Sequence, residues 1–180
     1  ATGAKLVLSG TVINSMFSAF SNIMIYFANN AQALQNITFW IMGSTASATW
    51  SKVPVILVIV ALTALFFLTQ SNTLNLMLMG EEAATTLGIN LTFWRRIYLI
   101  IASLITGILV SGCGMIGFVG LVVPHVMRFF FGPLHRTLLI ASALAGAILM
   151  VLADIASRML IAPQSLPVGV VTALVGVPFF

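Results

Sequence analysis

Very few side chains in this sequence could make or break a bond. Its 180 residues hold two histidines, His125 and His135, one cysteine, Cys113, and three acids, Glu81, Glu82 and Asp154. The histidines lack the paired spacing of a zinc-binding His-Glu-x-x-His helix. One thiol makes neither an intrachain disulfide nor a cysteine metal cluster. Intramembrane proteolysis fails on the same inventory, because Asp154 stands in an apolar stretch without a second acid and no Ser-His pair is evident. The chain therefore reads as a non-enzyme, with no catalytic residue, no metal site and no cofactor. His125 reads as a helix-end residue and His135 as a loop residue.

Polar groups that bind without reacting are better represented. Thr11, Asn14, Ser15, Ser18, Ser21 and Asn22 recur every three or four residues, along one face of a helix whose other faces carry Val, Ile, Met and Phe. Inside a membrane such a face either bonds to a neighbouring helix or lines a water-filled route for a polar solute, and the spacing fits both. Asp154 and Arg158, four residues apart, can pair within one helix and lower the cost of each charge; alternatively, Arg158 is presented to an acidic partner. The run Gly80-Glu81-Glu82-Ala83-Ala84-Thr85-Thr86-Leu87-Gly88 reads as a helical turn or two closed by a glycine cap, with its acids at the end the helix dipole favours. Small residues spaced by three or four, such as Ser103, Gly107 and Ser111, or Gly169, Ala173 and Gly176, predict close backbone approach in a tightly packed bundle.

The elements that must position these residues are membrane helices. Hydrophobic residues make up 61% of the chain and charged ones 6%, with a mean hydropathy of +1.17, whereas a soluble domain carries about a quarter of its residues as charges. Disorder, collagen, coiled coil and disulfide scaffolds are excluded. The net charge of +4 comes from scattered bases, which gives a nucleic-acid patch no support. Stretches approaching the ~20 apolar residues that a crossing needs run from Leu6 to Ala28, Val53 to Ser71, Ile97 to Gly112, Met115 to Phe131 and Thr137 to Leu160. A sixth begins at Leu166-Pro167 and is still apolar at Phe180, leaving about 15 residues for its crossing. The expectation is an all-α polytopic membrane protein, one domain over residues 1–180, with about five complete spans and the start of a sixth. Leu6 to Ala28 is too long for the apolar core of a signal peptide and carries Asn14 and Asn22, so it reads as the first span. Ala31 to Gly43 suits a short interfacial helix, and Asn72 to Trp94 is the longest polar interruption. With the N-terminus in the cytoplasm, Lys5, Arg95, Arg96, Arg128 and Arg136 fall inside, and only Lys52 and Arg158 fall outside. That orientation puts Gly80 to Gly88 in the cytoplasm and Ala31 to Gly43 outside.

From Gly114 to Arg128 the chain reads Gly-Met-Ile-Gly-Phe-Val-Gly-Leu-Val-Val-Pro-His-Val-Met-Arg, which strongly resembles the membrane permease subunits of type II ABC importers for iron-siderophores, haem and cobalamin. His135-Arg136, Ala145-Gly146-Ala147, Ala153-Asp154 with Arg158, and Leu166-Pro167-Val168-Gly169 through Gly176-Val177-Pro178-Phe179 follow in that family's order. Phe39-Trp40-Ile41-Met42-Gly43-Ser44 and Gly80-Glu81 through Leu87-Gly88 precede them, so the resemblance covers essentially the whole chain. Family members usually have about twice this length and about ten helices, and the chain resembles their C-terminal part, from the fifth helix to the start of the tenth. The resemblance implies a multi-pass protein of a bacterial or archaeal inner membrane, without catalysis of its own. Its implied partners are a second permease subunit, a cytoplasmic ATP-binding subunit, an extracytoplasmic substrate-binding protein and membrane lipid, with no nucleic acid. It further implies that Gly80, Glu81, Glu82, Ala84, Leu87 and Gly88 couple to the ATPase and that Arg158 docks the binding protein. Asn14, Ser18, Ser21 and Asn22 would then line the translocation path. Two readings of other classes stand beside it: an ATP-independent secondary transporter or channel, and a non-transporting membrane scaffold.

Overall fold

The computed structural model describes residues 3–28, 30–46, 48–80, 88, 90–161 and 166–179. Every regular element among them is helical, as the long apolar runs predict. The chain divides into two compact units, residues 1–41 and 42–180, each described by itself.

The first unit holds α1 (Gly3–Tyr26) and nearly all of α2 (Ala31–Met42). α1, at 24 residues, has the length of one crossing. Asn30 starts α2: its side-chain oxygen accepts from the Ala33 amide at 2.7 Å, supplying one of the partners that a helix N-terminus lacks. Gly43, at φ +77°, ends it in the left-handed conformation that glycine adopts without penalty.

The second unit is built around α7. It contains α3 (Val53–Thr69), α4 (Ser71–Leu78), α5 (Leu91–Cys113), α6 (Val119–Phe131), α7 (His135–Met159), α8 (Val168–Gly176) and a closing 3-10 turn, Val177–Phe179. α7 packs against α6 most extensively and also meets α8, α4 and α3, while α3 lies on α5. The tightest core is where α7 meets α8: Ala153, Val168 and Val171 are buried, with Met150 and Ala156 against them. Large apolar side chains such as Leu144, Ile148 and Leu152 point outward from α7, the inversion expected when the surroundings are hydrocarbon or another apolar helix.

Among the described residues, α5 and α7 are each long and apolar enough to cross a membrane, and α3 with α4 makes a third candidate bent by 57°. α6 and α8 with its 3-10 turn are apolar but shorter. Three expectations change in detail. The stretch expected to cross from Met115 becomes helical only at Val119, because residues 114–117 are irregular and lie in a backbone junction described below. The polar interruption expected from Asn72 stays helical to Leu78 as α4. α5 starts at Leu91, before the apolar run, because Asn90 caps it, its side chain accepting from the Phe93 amide at 3.1 Å.

Candidate functional site

On α1, Asn14, Ser18 and Asn22 are exposed, as are the apolar residues beside them such as Ile13 and Ile23. The hydroxyls around them turn inward on the helix: Thr11 donates to the Leu8 carbonyl at 2.8 Å, Ser15 to Thr11 at 2.9 Å and Ser21 to Phe17 at 3.0 Å. Such back-bonding satisfies a hydroxyl in an apolar setting, which leaves Asn14, Ser18 and Asn22 as the open polar groups of the stripe. Ser21 is half-buried and shares an apolar cavity of about 350 Å³ with Met24 and with Asn36, Ile37, Trp40 and Ile41 of α2. Asn36 and Trp40 are thus neighbours of the polar stripe that helical spacing within α1 could not reveal.

Of the expected coupling residues, Gly80 and Gly88 are described and have φ of +98° and +76°. Glu81, Glu82, Ala84 and Leu87 lie outside the described residues, so the helical turns expected there do too. The elements on either side are fastened firmly. Gln70, at the bend between α3 and α4, accepts from the Tyr98 hydroxyl of α5 at 3.2 Å and from Thr73 at 3.4 Å. The Tyr98 ring packs on Phe67 and Trp94, with centroids 5.7 Å away in each case. Further along α4, Asn75 Oδ1 accepts from both the backbone amide and the ring Nδ1 of His135, each at 2.9 Å. A backbone amide can only donate, so the carbonyl oxygen of Asn75 is the atom facing His135, and Nδ1 must carry a proton to share it. His135, expected in a loop, is the first residue of α7, and Asn75 acts as its cap from another helix. His125 lies exposed on α6.

At the other end of α7, Asp154 holds two groups. Arg158 Nε donates to its Oδ2 at 2.9 Å and Nη2 to Oδ1 at 3.4 Å, the expected intrahelical pair. Thr45, from the connection between α2 and α3, donates its hydroxyl to Oδ1 at 2.5 Å. This third member was invisible in the sequence, being 109 residues away. A small cavity of about 50 Å³ lies among Ser44, Thr45, Asp154, Ser157 and Arg158. Buried Ser157 donates to the Asp154 carbonyl at 2.7 Å and accepts at its own carbonyl from the Leu166 amide at 2.9 Å.

The glycine-rich stretches of the sequence converge close by. The Ser44 amide donates to the Cys113 carbonyl at 2.8 Å, and the Gly169 amide to the Gly43 carbonyl at 3.2 Å. Three connections, around residues 43, 115 and 169, thus meet backbone to backbone. A side chain on Gly43 would strike the Met115 carbonyl, and one on Gly169 would strike the Met42 carbonyl. Phe118 accommodates the same crowding with φ of +66°, its ring lying where a side chain on Gly176 would go.

Among the described residues no group of His, Cys, Asp or Glu could hold a metal ion. The described polar groups form a stripe on one helix, α1, and hydrogen-bonded fastenings at both ends of another, α7.

Comparison with known proteins bears on the family and the fold. Residues 1–180 match the FecCD transport family. The hemin transport system permease protein HmuU of Yersinia pestis is 38% identical, aligned over 98% of this chain and 53% of its own. The cobalamin import system permease protein BtuC of Halobacterium salinarum is 37% identical, over 98% and 47%. A solved inward-facing structure described as a metal-chelate type ABC transporter superposes with a TM-score of 0.90 at 32% identity, covering 99% of this chain and 58% of that one. The chain spans about half the length of the curated relatives it matches.

Proposed function

The chain belongs to the FecCD transport family, and on that premise we propose that it serves as a permease of an ATP-driven importer. Its cargo would be an iron chelate, siderophore or haem, or cobalamin, received from an extracytoplasmic binding protein and passed to the cytoplasm. The observation that carries the reading is the match of the whole chain, in sequence and in helix arrangement, to permeases of this type. The two units work together as one permease domain of a bacterial or archaeal inner membrane, paired with a second permease subunit and surrounded by lipid.

The work is conformational. A separate cytoplasmic subunit binds and hydrolyses ATP and presses on Gly80, Glu81, Glu82, Ala84, Leu87 and Gly88. α4 leads directly into that segment, and Asn75 and Gln70 link α4 to α7 and α5, so a push there is passed to the helices rather than absorbed in a loose loop. Two arrangements of the helices would open the path alternately to each side, with Asn14, Ser18, Ser21 and Asn22 offering hydrogen bonds to a polar cargo. Arg158 presents its charge to an acidic residue of the binding protein.

Purifying the permease from its native membrane in mild detergent tests this reading. The expected result is an ATPase subunit retained in stoichiometric amount, with hydrolysis stimulated by the loaded binding protein. A permease that catalyses uptake with no ATPase attached, driven by an ion gradient, would overturn it.

A further inference from the structure

We infer that Asp154 and Thr45 are positioning residues that hold the Arg158 guanidinium ready for the binding protein, an inference that rests on the docking role proposed for Arg158. Asp154 occupies the Nε and Nη2 side of the guanidinium, and Arg158 stays largely outside, its side chain 60% exposed against 28% for Asp154. The remaining edge of the fork, at Nη1, is left for an incoming carboxylate. A guanidinium can meet two carboxylates on two edges, because its donors are fixed in one plane. An arginine already fixed in that plane loses less freedom on binding than one swinging on a free stem.

The carboxylate doing the holding is itself held. Oδ1 takes the Thr45 hydroxyl, so Asp154 cannot rotate without breaking that bond. The Asp154 backbone is fixed by the Ser157 hydroxyl on its carbonyl, and Ser157 in turn is tied to Leu166. Thr45 has a fixed base as well, since the preceding residue, Ser44, is bonded to Cys113. An isolated Asp–Arg pair at this spacing would need none of these connections. A bond from a residue 109 positions away places the orientation of Arg158 under the control of the α2–α3 connection.

The test is a double-mutant cycle on the assembled transporter in lipid discs, reading binding-protein affinity and thermal stability. Thr45→Val keeps the shape and removes the hydroxyl, and its expected effect is a loss of about tenfold in affinity, the scale of one hydrogen bond to a charged group. Thr45→Ser should restore affinity, and Asp154→Asn, which cannot accept from Arg158 Nε while keeping its oxygen on Thr45, should match the loss. In an Arg158→Ala background Thr45→Val should have no further effect on affinity, because nothing remains to be positioned. Unchanged or tighter binding by Thr45→Val, or an equal loss with and without Arg158, would overturn the positioning role. Wild-type affinity in Arg158→Ala alone would instead remove the docking role on which it rests.

Discussion

At Gly169 the missing side chain lets a helix start against two carbonyl groups of other segments. A β-carbon there would overlap the Met42 carbonyl and crowd that of Met115, and neither backbone can move without disturbing the bonds of Gly43 and Ser44. Gly169→Ala should therefore lower the thermal stability of the detergent-solubilised protein by about 1–3 kcal/mol, the usual cost of overpacking a filled site. Gly146 is the control. It lies inside α7, where an added methyl meets only Val123 at an ordinary 4.0 Å, and alanine is the better helix former by roughly 1 kcal/mol. Gly146→Ala should be neutral or stabilising in the same melting experiment, and equal losses at both positions would remove the crowding argument. Mere smallness, which marks both glycines in the sequence, does not distinguish them; only the segments brought near each one do.

Eight residues make α4 short for a helix that must hold itself together, and what fixes it is its neighbours. Asn75 joins it to the start of α7. Removing such a cap costs about 0.5–2 kcal/mol, a modest loss of stability but a loose joint at the entrance to the proposed coupling segment. Asn75→Ala should leave ATP hydrolysis within about twofold of the parent while lowering substrate moved per ATP. Asn75→Asp keeps an acceptor, and a negative charge favours a helix N-terminus, so it should restore transport. Uptake per ATP unchanged in Asn75→Ala would show that this bond plays no part in coupling. The helices themselves were readable from runs of apolar residues, since crossing length is a local property. The cap was not, because it joins residues 60 positions apart and because Asn75 reads as part of a polar interruption. Asp154 is an intermediate case. Its charge in an apolar stretch called for a partner and Arg158 was found by spacing, yet Thr45, from a connection far back in the chain, carried no signal of its own.

The outward-facing apolar surface of the molecule bears on how the proposed polar route should be tested. Ile13 and Ile23 are exposed on α1, as are Asn14, Ser18 and Asn22, so exposure alone does not separate a water-lined face from a lipid-lined one. Chemistry does, since a charged thiol reagent enters water and avoids hydrocarbon. In a Cys113→Ser background, cysteines at Asn14, Ser18 and Asn22 should react with such a reagent, and at rates that change by about tenfold or more between nucleotide-free and ATP-trapped transporter as the path changes sides. Cysteines at Ile13 and Ile23 should stay unreactive in both states. Uniform protection would assign the stripe to helix–helix hydrogen bonding. The junction of residues 43, 115 and 169 has a consequence in time as well. A ribosome releases Gly43 long before it makes Gly169, whose amide is bonded to the Gly43 carbonyl. Helices can enter the membrane one after another on local signals, but this bond belongs to the class of distant contacts that form late and slowly. During synthesis the turn after α2 must wait while α3 to α7 are delivered, and its bond to Gly169 closes only when that residue arrives.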